Sequence, residues 1–332
     1  MGVLIIIDNT LFWNHIKFRH DLITIMNILL NMKVKDGIIG FVVGDALGVP
    51  LEFKSREELE ENPVAEMRDG GLWEQPKGTW SDDSAMTIAT MTSIVNKKEI
   101  DYEDIMSEFI KWRYEDEHTN SDAGSFDIGG TTSTALSNYR FGAPALESGC
   151  GGEGDNGNGS LMRILPLAYI KDIDYETIEN ISSLTHAHMR SKIACVLYTE
   201  IAKSLLENDL EKREHVDLAC DKIKEYYKNS DELEHFERIF SNDLDEVTGR
   251  IYVVGSLECV IHCFLTTDNY RDAVLKAVNM GGDTDTNAAI CGGLAGIYYG
   301  YDSIPVDWIK QINRIDEVLA LCEKYEAFCD ES

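Results

Sequence analysis

The chain is short of several things at once. Its 332 residues hold only 30 Lys and Arg against 59 Asp and Glu, for a net charge of −29, and only 6 Pro. That acid excess repels phosphate backbones, so non-specific nucleic-acid binding has no electrostatic basis. No apolar run reaches the roughly 18 residues that a membrane helix needs, so no segment is expected to span a membrane. Alternating β-branched stretches are scarce, which argues against a sheet. The 8 Cys include no CxxC pair, which disfavours a disulfide framework or a structural zinc. Cys259, His262 and Cys263 share a helical stretch as conceivable soft-metal ligands. Without a second ligand pair, reduced core thiols in a cytoplasmic protein are the better reading.

What is present is globular: 44% apolar and 27% charged residues. Apolar residues recur at helical spacing over 84–97, 102–113, 190–206, 252–265, 271–279, 288–299 and 306–322. An all-α fold follows, a single-domain, multi-helix bundle. The stretch 207–249 is charge-dense and reads as solvated helices and loops. Residues 1–31 are aperiodic and lack a basic start and a small-residue cleavage site, so they read as an N-terminal extension or a misassigned start before Met32. Residues 32–325 would form the domain and 326–332 an acidic tail.

Two acidic motifs depart from this background, Trp80-Ser81-Asp82-Asp83-Ser84-Ala85-Met86 and Gly281-Gly282-Asp283-Thr284-Asp285-Thr286-Asn287. Helix N-termini favour acids, which explains one such cluster structurally. It does not explain why the carboxylates run straight into small, apolar helices where they would be buried. Buried unpaired carboxylates are costly, and a cation is the natural compensation. The donors are hard oxygens, suited to Mg²⁺, Mn²⁺ or Ca²⁺ rather than Zn²⁺, and their number points to two ions. Asp283-x-Asp285-x-Asn287 is not an EF-hand loop, because Ala288 stands where Gly is required and Leu294 where Glu is.

A glycine-rich stretch, Gly149 to Ser160, contains GxGxxG at Gly152, Gly154 and Gly157. No strand precedes it and acids lie within it, so neither a dinucleotide fingerprint nor a P-loop fits. It reads either as a flexible loop or as a loop entering a helix at Ser160 whose amides could hold a pyrophosphate.

Taken in order, Gly44-Asp45-Ala46-Leu47-Gly48-Val49-Pro50-Leu51-Glu52-Phe53, the Ser81-Asp82-Asp83 motif, Asp127-Ile128-Gly129, Gly157-Asn158-Gly159-Ser160-Leu161-Met162-Arg163, Thr185-His186 and the Asp283-Thr284-Asp285-Thr286 motif closely resemble the ADP-ribosylglycohydrolase family. The resemblance covers about residues 36 to 300. It implies an all-α fold with a metal-containing cleft holding two Mg²⁺ or Mn²⁺. Ser81, Asp82 and Asp83 would ligate from one side, and Asp283, Asp285 and Thr286 from the other. Ser81 stands where many members have Thr. Glu52 and Asp127 would be the catalytic carboxylates, and Asn158, Gly159, Ser160 and His186 the substrate contacts, although His186 reads equally well as a core histidine.

The implied activity is metal-dependent hydrolysis of the N- or O-glycosidic bond between ADP-ribose and its acceptor. An oxocarbenium-like transition state needs water activated and the leaving group assisted. The substrate would be an ADP-ribosylated protein or a small ADP-ribosyl compound, acted on by a monomer. The alternatives are a non-catalytic ADP-ribose-binding relative and another Mg-dependent all-α phosphohydrolase. Intact ligand positions argue against the first. The lack of a DDxxD third acid argues against the second.

Overall fold

The apolar periodicity becomes a set of helices in a computed structural model that describes residues 34–331 apart from 121 and 123. Those of nine residues or more are α1 (Val34–Gly48), α2 (Asp82–Lys97), α3 (Tyr102–Glu115), α4 (Gly130–Arg140), α5 (Tyr175–Ser183), α6 (Met189–Glu207), α7 (Lys212–Tyr226), α8 (Val253–Leu265), α9 (Tyr270–Val278), α10 (Thr284–Tyr299) and α11 (Ile315–Glu331). Among the described residues there is no strand, only isolated bridges such as Gly70 with Gln75 and Gly157 with Tyr252. The all-α expectation holds. No described helix is long and apolar enough to cross a membrane.

Helices α1 and α10 form the centre and are buried along most of their length, as expected for helices apolar on every side. They run antiparallel with backbones almost touching. A Cβ on Gly44 would lie 2.1 Å from the Ala288 carbonyl oxygen, and one on Gly292 would lie 2.3 Å from that of Gly40. Tyr270 Oη donates to the Gly40 carbonyl at 2.7 Å and ties α9 to the pair. This close approach sets the C-terminal end of α1 beside the N-terminal end of α10, where the acids lie.

Three expectations need correction. The apolar stretch 306–322 is broken into Val306–Ile309 and α11, with Arg314 left-handed between them at φ 56°. Residues 326–331 continue α11, with Phe328 and Cys329 buried, so they are not a separate acidic tail. No long helix starts at Ser160; only the 3₁₀ turn Leu161–Arg163 follows it. The expected 1–31 extension lies outside the described residues. All 8 Cys are free, and Cys259 and Cys263 are buried in α8.

Candidate active site and metal centre

Each acidic motif starts a helix, as its composition dictates. Ser81 caps α2: its Oγ accepts from the Asp83 N–H at 3.4 Å and donates to Asp83 Oδ2 at 2.9 Å. Asp283 precedes α10, its N–H bonded to the Gly249 carbonyl at 2.7 Å. Thr286 joins the two starts, its Oγ1 donating to Asp83 Oδ2 at 3.2 Å. Beneath them is a residue to which the sequence reading gave no role. Asp45, fully buried in α1, accepts from the Ser81 N–H (2.9 Å), the Ser84 N–H (3.0 Å) and the Ser84 hydroxyl (2.5 Å). A lone acid inside a helix as apolar as α1 was the available signal.

Carboxyl oxygens of Asp45, Asp83 and Asp285 lie within 4.8 Å of one another, and so do those of Glu52, Asp127 and Asp285. Asp83 Oδ1 and Asp285 Oδ2 are buried without a hydrogen-bond partner among the described residues. The charge of Arg163 reaches Asp82, but its guanidinium is committed to the Gly159 and Ile181 carbonyls. Unmatched hard oxygens of this kind suit a divalent cation.

Of the expected site residues, Glu52, Asp82, Asp127, Asn158, Gly159, His186, Asp283 and Thr286 line one cavity of about 500 Å³. Ser81, Asp83 and Asp285 are buried against those residues. Ser160 is not gathered in: its hydroxyl, wholly buried, accepts from Ser182 Oγ at 3.0 Å. Asn158 turns its amide toward the acids, donating to Asp283 Oδ2 at 2.6 Å and to Ser256 Oγ at 2.9 Å. His186 Nδ1 lies 2.8 Å from Thr185 Oγ1. Trp73 was also missed by sequence reasoning, and no local pattern marks it. It lines the cavity and donates its indole N–H to Glu52 Oε2 at 2.5 Å.

Electrostatics follow from burial of like charges. Asp82, Asp83 and Asp285 are pushed well above the ordinary aspartate range, by desolvation first and then by neighbouring carboxylates. Burial raises Asp45 to about 6, against the pull of its Ser84 and Ser81 hydrogen bonds. Glu52 rises to about 7, again chiefly by burial, and Asp127 to about 11 by burial and the charges of Asp82 and Glu52. Burial, then Arg163, lowers His186 to about 3, so its imidazole is neutral.

On the cavity's edge a second cluster looks similar on paper. Glu153, His188 and Glu232 also present ligand atoms within 4.8 Å of one another. Here Arg190 intervenes, 2.8 Å from Glu153 and 2.8 Å from Glu232.

Fold and site define a class: an all-α protein with carboxylates converging on a cleft from two helix starts. Comparison with known proteins is decisive. The family profile ADP-ribosylglycohydrolase matches residues 26–331, and the chain belongs to that family. It is 28% identical over 302 residues to the ADP-ribosylarginine hydrolase Tri1 of Serratia proteamaculans, covering 88% of this chain and 78% of the relative. It is 28% identical over 299 residues to the ADP-ribosyl-(dinitrogen reductase) glycohydrolase of Rhodospirillum rubrum, covering 85% of this chain and 94% of the relative. A solved ADP-ribosylglycohydrolase-related protein complex aligns with TM-score 0.77 at 26% identity, over 90% of this chain and 99% of that one. The chain is thus an ADP-ribosylglycohydrolase, a hydrolase of ADP-ribosyl adducts.

Proposed function

We propose that this enzyme releases ADP-ribose from an acceptor nitrogen or oxygen with the help of two Mg²⁺ or Mn²⁺ ions. Ser81, Asp82 and Asp83 would hold them from α2, and Asp283, Asp285 and Thr286 from α10. The observation carrying this reading is the pair of buried, unpartnered oxygens, Asp83 Oδ1 and Asp285 Oδ2, among acids with no basic partner of their own. Divalent ions held there would supply positive charge to orient ribose hydroxyls and acidify water.

The chain's own residues do the rest. Glu52, which burial lifts above the ordinary glutamate range, is the residue placed to take and give a proton. Asp127 adjoins it, with a carboxyl oxygen within 4.8 Å of one of Glu52's. That pair takes the proton that water loses as its oxygen bonds to ribose C1. It returns a proton to the acceptor atom as the C1–acceptor bond breaks. The products are ADP-ribose and the free acceptor. Gly159 and the neutral His186 form the wall against which the substrate lies, and Asn158 acts through Asp283. Ser160 lies behind that wall, its hydroxyl held by Ser182.

The substrate is an ADP-ribosylated protein or a small ADP-ribosyl compound. An arginine linkage is the first to test, since the Serratia proteamaculans relative carries it in its name and a chain of net charge −29 attracts cationic acceptors. Eight free thiols fit a reducing cytoplasm, and the enzyme is proposed to act as a monomer. The test is ADP-ribose release from arginine-, serine- and nucleic-acid-linked adducts, each with EDTA, Mg²⁺ or Mn²⁺. Release is expected only with a divalent ion and with a clear preference for one linkage. Full activity in EDTA would overturn the metal reading.

A further inference from the structure

The Glu52 carboxylate does not hold itself in place. It follows the 3₁₀ turn Val49–Leu51, precedes the left-handed Phe53 (φ 64°), and belongs to no helix. What reaches it is Trp73, from the turn between Gly70 and Gln75. That turn is tightly built. Gly70 and Gln75 exchange backbone hydrogen bonds at 2.8 and 3.2 Å, and the buried Gln75 donates from its side chain to the Trp73 carbonyl at 3.0 Å. Gly71, at φ 79°, presses its backbone onto Pro50; a Cβ there would lie 2.5 Å from Pro50 Cα. Any other residue at 71 would lift the turn away from the segment that carries Glu52.

From this base Trp73 makes two contacts. Its N–H meets Glu52 Oε2 at 2.5 Å, and its ring lies 5.7 Å, centroid to centroid, from Phe126. Phe126 immediately precedes Asp127, which is itself left-handed at φ 62°. An indole is a suitable holder here. It donates one hydrogen bond, accepts none and does not ionise, so it binds one carboxylate oxygen and leaves the other free to exchange a proton.

We infer that Trp73 is the positioning residue of the Glu52–Asp127 pair, fixing Glu52 through its N–H and bracing the Asp127 loop through Phe126. This rests on the reading of Glu52 as the acid–base group, and the experiment separates the two. ADP-ribose release from whichever ADP-ribosyl-arginine or ADP-ribosyl-serine peptide the wild type cleaves is measured in Mg²⁺ for the full chain, Trp73→Phe, Glu52→Gln and the double variant. Phenylalanine keeps an aromatic ring near Phe126 but removes the donor and part of the indole's volume. The expected result is a kcat lower by about 10- to 100-fold, the scale of one hydrogen bond to a charged group, with KM within about 2-fold. In the Glu52→Gln background the same change should cost almost nothing further, because the carboxylate it positions is gone.

A merely structural tryptophan would lower both backgrounds alike, and that additive result would overturn the inference. Wild-type turnover by Trp73→Phe beside a disabled Glu52→Gln would overturn it alone. Wild-type turnover by Glu52→Gln would overturn the reading of Glu52 and this inference with it. Melting of Trp73→Phe with and without Mg²⁺ should match wild type within about 2 °C. If Trp73→Phe melts lower than that, benzothienylalanine at position 73, with sulfur in place of the N–H in the same ring size, is held to the same outcomes.

Discussion

Two carboxylate clusters in this molecule have the same compactness and opposite chemistry. Asp45, Asp83 and Asp285 converge within 4.8 Å, and so do Glu153, His188 and Glu232. The second is answered from within the chain. Arg190, whose side chain is 5% exposed, bridges Glu153 and Glu232, and its Nη2 lies 2.7 Å from His235 Nε2. The first is not answered among the described residues, and two of its oxygens have no partner there. Proximity of acids is therefore a poor guide to a metal. The guide is desolvated charge that the protein leaves uncompensated. One cluster is a tether between the glycine-rich loop, the start of α6 and the 231–236 turn. The other has the unmatched oxygen donors that the proposed cations require.

The harshest way to break the contrast is Asp285→Asn. It deletes one unmatched carboxylate, so metal-dependent release should fall by at least about 100-fold. It also relieves repulsion in the metal-free state, so the variant should melt above wild type in EDTA. Mg²⁺ should raise the wild-type midpoint clearly and the variant's much less. Equal shifts in both proteins would reduce Asp285 to a helix-start acid.

A milder perturbation is pH. Acids whose folded pKa is raised bind more protons when folded than when unfolded, so they favour the fold at low pH and lose that contribution as pH rises through the folded value. From ordinary values of 3.8 and 4.5, Asp45 at about 6 and Glu52 at about 7 place that loss between about pH 4 and 7. Metal-free protein should therefore melt progressively lower across this window, while the stabilisation added by Mg²⁺ grows. Melting curves that are flat with pH in EDTA would show that the acids are not the strained element.

The smallest effect belongs to the tether. Arg190→Met should cost about 1–2 kcal/mol, because the Glu153 side chain it releases is already 73% exposed and rehydrates readily. It should raise KM modestly by loosening the loop, with the Mg²⁺ shift in melting unchanged. A lost Mg²⁺ response would mean that the two clusters are one.

Much of this site was legible because its signals are local. Helical spacing is read over a few turns, and Asp82-Asp83 and Asp283-x-Asp285 stand at helix starts whatever packs around them. The errors arose where locality fails. Position 314 breaks a stretch whose apolar spacing runs through it, because a left-handed residue leaves no trace in hydrophobic period. Phe328 and Cys329 are buried by packing, so the acids around them did not make a tail. Ser160 sits in a motif that faces the cleft on either side, yet its own hydroxyl points to Ser182.

By itself the sequence determined the helical class, the oxygen donors and their arrangement at two helix starts, since each depends on residue type and short spacing. Only the tertiary structure decided which acids have a counter-charge. Arg190 lies 37 residues from Glu153 and 42 from Glu232, while Asp45 meets Ser84 across 39. The same folding brought Trp73 to Glu52, a pairing with no periodic or compositional signature. Charge compensation depends on what packs opposite a group, and that is fixed by the close contact of α1 with α10 and by the loops laid over it, not by the residues adjoining the group in the chain.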